Sequence, residues 1–275
     1  IHPKALLEYD KQDVKIKKKI DSLTVGYPDK VEYYVGKLAD GIAQIAAASY
    51  PHQVIVRFSD FKTNEYRTLV GGEQYEPSEE NPMLGWRGAS RYYDPKFKDA
   101  FKLECEAIKR VRSTYGLKNL HVMIPFCRTP DEGRKVLDTM AEFGLRKDED
   151  GLHVYVMCEI PSNVLRANEF LDIFDGFSIG SNDLTQCTVG SDRDSGIVAG
   201  ITNEKDPAVK MLISMAIKAC KERGKYIGIC GQAPSDFPDF LEFLIGEGIE
   251  TVSLNPDSII PMLFVVAEAE KKLGR

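Results

Sequence analysis

Val154-Tyr-Val-Met-Cys-Glu-Ile-Pro-Ser162 and Gly176-Phe-Ser-Ile-Gly-Ser-Asn-Asp-Leu-Thr-Gln186 decide how this chain reads. Each is a short, β-branched apolar run ending in polar groups, the pattern of a buried parallel strand whose C-terminal end opens into a site. Glu159 closes the first run and Asp183 the second. Carboxylates at adjacent strand ends can place two oxygens around one hard cation, and the water such an ion keeps leaves positions for a substrate. The pattern predicts a magnesium site on Glu159 and Asp183. It also fits two carboxylates that merely cap the helices following them.

Working outward, strand-like and helix-like segments alternate along the whole chain. Ahead of the two deciding runs lie a helix through Val31, Val35, Leu38, Ile42 and Ile45, a strand Gln53-Val-Ile-Val-Arg-Phe-Ser-Asp60, and a long polar connection from Lys62 to Asn81. Connections of that length in a compact domain are usually functional. A short apolar segment at Met83–Trp86, a helix from about Pro95 to Tyr115, the strand His121–Phe126 and a helix starting at Pro130 follow. Beyond Gln186 come a Gly/Asp-rich loop from Thr188 to Pro207, a helix to Gly224, the strand Tyr226–Gln232, a helix ending near Gly246, the strand Thr251–Pro256 and a last helix from Ile259 to Leu273.

Such alternation predicts a parallel sheet with helices outside. Seven strands are expected, at Val54, Leu84, Val122, Val154, Phe177, Ile227 and Val252, whereas a (β/α)₈ barrel of the TIM type needs eight. Every candidate site residue sits at a strand's C-terminal end, as barrel active sites do. No break in composition marks a linker, so the expectation is one barrel domain over residues 1–275, lacking its first strand. The chain starts at Ile1 without methionine or a signal-peptide pattern and is expected to be a piece of a longer protein.

Composition narrows the function classes. With 275 residues, 43% hydrophobic and 28% charged, the chain can bury a large core. A net charge of −6 and a pI near 5.4 argue against nucleic acid as a partner. No apolar run approaches membrane-spanning length. The six cysteines contain no Cys-x-x-Cys pair, which fits reduced thiols in a cytoplasmic protein.

Gly180-Ser181-Asn182-Asp183 offers backbone N–H groups, an amide and a carboxylate in one turn, able to hold phosphate oxygens beside a metal. Arg193, ten residues beyond Asp183, is the natural extra cation for that phosphate. Arg57 and Arg87 each follow an apolar strand-like segment, which leaves open a solvated surface charge or an anion-holding group. Cys230 ends the glycine-flanked strand Gly228-Ile-Cys-Gly231. A lone cysteine in an apolar strand is commonly an inert core residue, but glycines on both sides would let a substrate approach.

Asn182-Asp183-Leu-Thr-Gln186 after Ser178-Ile-Gly180, Cys158-Glu-Ile-Pro161, Gly228-Ile-Cys-Gly-Gln232, Val56-Arg-Phe-Ser-Asp-Phe61 and Asn81-Pro-Met-Leu-Gly-Trp-Arg87 together resemble the C-terminal PEP/pyruvate-binding barrel of the PEP-utilising enzymes. Within that family, Ser59–Tyr66, Leu69–Glu73 and Met157–Asn163 look most like the phosphoenolpyruvate synthase branch. The resemblance covers nearly the whole chain, and several separated motifs in one order make it specific.

The resemblance implies magnesium on Glu159 and Asp183, a phosphate and enolate cradle from Asn182 with the Gly180-Ser181 backbone, and a phosphoryl group held by Arg57, Arg87 and Arg193. It implies that Cys230 moves the proton at the enolate's methylene carbon, which outweighs the inert reading of that cysteine. The implied reaction of the intact enzyme is ATP + pyruvate + water → AMP + phosphoenolpyruvate + phosphate through a phosphohistidine. The family's first barrel strand, with a further arginine, its nucleotide-binding domain and its phosphohistidine domain are expected as partners outside this chain; the isolated chain is not expected to complete the reaction. The family barrel commonly forms homo-oligomers. Two alternatives stay open: a magnesium-dependent keto-acid aldolase or lyase, which needs neither Cys230 nor three arginines, and a non-catalytic barrel kept for assembly.

Overall fold

Asp29 accepts a hydrogen bond from the Glu32 N–H at 2.7 Å and so starts the helix Lys30–Ala48, as a short acidic side chain at an N-cap does. A computed structural model describes residues 1–192 and 195–274; Arg193 lies outside the described residues. The fold is α/β, with six parallel strands among the described residues: β1 (Val54–Arg57), β2 (Leu120–Ile124), β3 (Val154–Cys158), β4 (Gly176–Ile179), β5 (Tyr226–Ile229) and β6 (Thr251–Val252). No helix is long and apolar enough to cross a membrane among the described residues. The chain divides into two compact units, residues 1–125 with 131–154 and residues 126–130 with 155–275.

In the first unit β1 runs parallel to β2, with Val54 opposite Leu120 and Arg57 opposite Met123. The helix Lys98–Lys109 packs on Lys30–Ala48 and buries Phe101 against Phe58 and Tyr92, whose rings stand 4.9 and 4.3 Å from it. Gly116 and Gly144 adopt left-handed backbone just after the helical stretches Arg110–Thr114 and Pro130–Glu142.

The strand expected at Leu84 is a run of turns instead. Leu84 N–H donates to Asn81 O and Gly85 N–H to Pro82 O, both at 3.2 Å, while Trp86 N–H reaches the Glu79 carboxylate at 3.0 and 3.1 Å. Asn-Pro favours a turn, and Leu84 is left 57% exposed.

The long polar connection before it is not loose. It holds a helix, Thr63–Thr68, and then Glu76, which is buried. Both Glu76 oxygens accept from the Arg91 guanidinium, at 2.9 and 2.5 Å, and Oε1 also lies 3.0 Å from His2 Nε2. Arg91 is itself fully buried, 4.1 Å from the Trp86 ring and 4.6 Å from Tyr66. A charge taken out of water needs such a partner.

Glu104, on Lys98–Lys109, accepts the Ser59 N–H at 2.9 Å just after β1. Burial pushes its carboxyl up to about 7, against the opposing pull of that N–H. A proton held more tightly in the folded than in the unfolded chain gives stability that is full below about 4.5 and lost as pH rises through about 7. Glu104→Gln keeps an acceptor for Ser59 and removes the charge. The parent is expected to lose on the order of 3 kcal/mol between about pH 5 and pH 8, and the variant to lose little of that. Urea unfolding at both pH values checks this; an equal pH dependence in the two proteins would refute it.

In the second unit β3, β4, β5 and β6 lie side by side in chain order. Val156 stands opposite Phe177, Gly176 opposite Tyr226, and Gly228 opposite Thr251. β3 and β4 are buried along their whole length, which is why they read as continuous apolar runs. The helix expected through Val164 and Phe170 is two short ones, Pro161–Leu165 and Ala167–Leu171, parted at Arg166, whose φ of −113° and ψ of 28° are not helical. The helices Pro207–Glu222, Pro238–Glu247 and Ile259–Lys272 complete the unit.

Candidate active site

In the first unit the candidate residues gather at the end of β1. Arg87 is buried, and its Nε and Nη2 donate to the two oxygens of Asp60 at 3.1 and 2.6 Å. Its Nη1 donates to the Met83 carbonyl at 3.3 Å. Arg57 places Nη1 3.6 Å from Asp60 Oδ2, with its side chain 44% exposed. Arg87 is thus no solvated surface charge, and it meets a planar, two-point acid partner, the geometry a guanidinium prefers. Asp60 had no assigned role in the sequence, although its place at a strand end was a signal.

In the second unit three consecutive strands deliver the remaining residues. Glu159 directly follows β3, Asp183 lies in the first turn of the helix Ser181–Val189 after β4, and Cys230 directly follows β5. Asp183 therefore does not end a strand. β4 stops at Ile179, and Gly180 caps a helix whose first-turn N–H groups favour a carboxylate there. Glu159 and Asp183 are both buried and have carboxylate oxygens within 4.8 Å of each other. Two buried like charges that close repel, and a hard divalent cation is the group that offsets this. Two oxygen ligands of this kind suit magnesium, with further positions left to water or substrate.

Gly180 makes this arrangement fit. A Cβ there would stand 2.8 Å from Glu159 Oε2 and 2.6 Å from Met157 Cε. The glycines of the Cys230 segment also make room for neighbouring side chains. A Cβ on Gly231 would overlap Ser181 Oγ, and one on Gly228 would overlap the Tyr226 hydroxyl.

Ser181 is fully buried, and its hydroxyl donates to Glu204, so what it offers a ligand is its backbone. Asn182 is partly exposed beside it. Cys230 is also partly exposed; its N–H joins the strand ladder at Ile179 O, 2.9 Å, and its Sγ–H points to that same carbonyl at 3.5 Å. Cys105, Cys127, Cys158 and Cys220 are buried.

Several residues around Glu159 escaped the sequence reading. Phe126 N–H donates to Glu159 Oε1 at 2.6 Å from a left-handed backbone with φ of 46°. Asn163, also fully buried, accepts the N–H groups of Glu159 and Ile160 at 3.2 and 3.0 Å and donates to Cys127 O at 2.7 Å. An amide side chain on the third helical residue, reaching back to the helix start, is a capping pattern that the sequence does carry.

Comparison with known proteins gives a consistent set. The family model described as PEP-utilising enzyme, PEP-binding domain, matches residues 8–271. The chain is 62% identical over 260 residues to phosphoenolpyruvate synthase of Aquifex aeolicus, covering 94% of this chain and 30% of that protein. It is 58% identical over 275 residues to the phosphoenolpyruvate synthase of Synechocystis sp., covering 99% of this chain and 34% of that protein. With that of Escherichia coli the identity is 55% over 271 residues, 98% of this chain and 34% of that protein. The chain spans about a third of the length of these curated relatives.

Proposed function

The chain belongs to the PEP-binding domain family of the PEP-utilising enzymes, and on that premise we propose that it is the pyruvate- and phosphoenolpyruvate-binding part of a phosphoenolpyruvate synthase. The reaction of the whole enzyme would be ATP + pyruvate + water → AMP + phosphoenolpyruvate + phosphate, a phosphotransferase reaction of the cytoplasm. The nucleotide-binding and phosphohistidine domains would be partners beyond this chain, and the whole a homo-oligomer. We read residues 1–275 as one domain and its six parallel strands as part of a (β/α)₈ barrel.

The observation that carries the reading is the pair of buried carboxylates, Glu159 just after β3 and Asp183 in the first turn of the helix after β4, with a helix start and a thiol from the next strand. These two residues would hold magnesium. When bound, it supplies Lewis-acid stabilisation of the negative charge that develops on the keto oxygen of pyruvate. The chain's own groups do the rest. Backbone N–H groups at Gly180–Asn182 and the Asn182 amide orient the substrate oxygens. Cys230, as the thiolate, takes the proton from the methyl carbon when phosphoenolpyruvate is formed, becoming the thiol, and the thiol returns that proton in reverse. Arg57, Arg87 and Arg193 neutralise the phosphoryl group during transfer.

The test uses oxalate, a mimic of the pyruvate enolate. Calorimetric titration should show oxalate binding that depends on magnesium, and Glu159→Ala or Asp183→Ala should weaken magnesium-supported binding about tenfold or more. Affinities indifferent to chelator and to both substitutions would reject the assignment.

A further inference from the structure

We propose that Asn163 is a positioning residue that sets where the Glu159 carboxylate stands, a role that rests on the reading of Glu159 as a metal ligand. Its side chain is fully buried, and its three hydrogen bonds all bear on one residue. Oδ1 accepts the N–H of Glu159 itself at 3.2 Å and that of Ile160 at 3.0 Å, fixing the chain direction at the end of β3. Nδ2 donates to Cys127 O at 2.7 Å. The residue before that carbonyl, Phe126, supplies the N–H that holds Glu159 Oε1 at 2.6 Å.

The bonds therefore close a circuit. Asn163 holds the backbone of Glu159 from one side and, through the 126–127 segment, its side chain from the other. Ser162 adds a second tie to the same segment, its hydroxyl donating to Arg128 O at 2.9 Å. Phe126 needs such ties, because a bulky residue keeps left-handed backbone only where its surroundings over-determine it. Release of Cys127 lets Phe126 relax and takes its N–H off the carboxylate. Groups that orient a ligand from behind commonly change metal affinity without touching the metal.

The test measures Mn²⁺ binding to the chain by the loss of the free-ion electron paramagnetic resonance signal, with urea unfolding alongside. Asn163→Ala should weaken Mn²⁺ binding roughly 10–100-fold in protein that remains folded. Asn163→Asp keeps both accepted bonds but loses the donated one, and should also bind more weakly than the parent. A merely structural role would lower the unfolding midpoint and leave the folded protein's affinity alone. Parent-like affinity in either folded variant, where Glu159→Ala has lost binding, overturns the positioning role. So does failure of both variants to fold, which would make Asn163 a folding determinant. If the parent binds no Mn²⁺, or Glu159→Ala binds it as well as the parent, the metal reading itself falls.

Discussion

Cys230→Ala is expected to slow the exchange of pyruvate methyl protons into D2O, in the presence of magnesium, by roughly 10²–10⁴-fold in the polypeptide that carries this chain. That is the usual contribution of a positioned acid or base. Oxalate affinity should stay within a few-fold, because the substitution removes proton transfer and not binding. Cys230 follows β5 directly and is partly exposed, while four of the other five cysteines are buried. Its Sγ–H lies 3.5 Å from Ile179 O, so the thiol must leave that carbonyl to act on carbon. Loss of the sulfur also leaves a small void, at a cost on the order of 1 kcal/mol. Unfolding midpoints of parent and variant separate that cost from lost chemistry. Equal exchange rates by NMR, in two equally folded proteins, would return the cysteine to a packing role.

The next residue should be as sensitive for a steric reason. A Cβ on Gly231 would overlap Ser181 Oγ and lie 2.8 Å from Ser181 Cβ and 3.0 Å from Ser181 N. Backbone at the start of the helix Ser181–Val189 must then shift, and with it Asn182 and Asp183. Gly231→Ala is expected to destabilise by about 1–3 kcal/mol, the range for overpacking a buried site. Oxalate affinity should fall about tenfold or more. Added to Ser181→Gly, the same substitution should cost much less, because the colliding atoms are gone. Denaturant titration of all four proteins gives the coupling, and additive losses would show that the contact is not the cause.

The framework was legible where the reason for an element is local. Asp29 before Lys30–Ala48, Pro130 at the start of Pro130–Glu142 and the left-handed glycines 116 and 144 are signals carried within a few residues. β3 and β4 were legible because strands buried on both faces keep unbroken apolar runs. The Leu84 segment misled because a few apolar residues read alike in a strand and in a turn. Its turns are fixed by Asn81-Pro82 and by the carboxylate of Glu79.

The same division holds at the candidate site. Glu159 and Cys230 were readable as polar groups at strand ends, whereas Asp183, read the same way, stands in the first helical turn after its strand. What holds Glu159 was not readable, because Phe126 meets it from 33 residues away and Asn163, four residues beyond it, is tied to the Cys127 carbonyl 36 residues back. Glu204 reaches Ser181 from 23 residues away. The surroundings of the glycines near Cys230 were equally hidden, since they depend on which side chains lie opposite, such as Ser181 on the helix after β4 and Thr251 on β6.

The Glu76–Arg91 pair changes what the stretch between Lys62 and Asn81 can do in time. To swing outward, this stretch would have to pull an acid from a fully buried guanidinium set among Trp86, Tyr66 and Phe97. Stranding one partner of a buried pair costs about 4 kcal/mol, which leaves roughly one molecule in a thousand open at any moment. The stretch is a strap fastened at its middle. A protease would find its cleavage site presented only in that rare fraction, and the strap's sequence is free to vary in length on either side of the buckle more readily than at it.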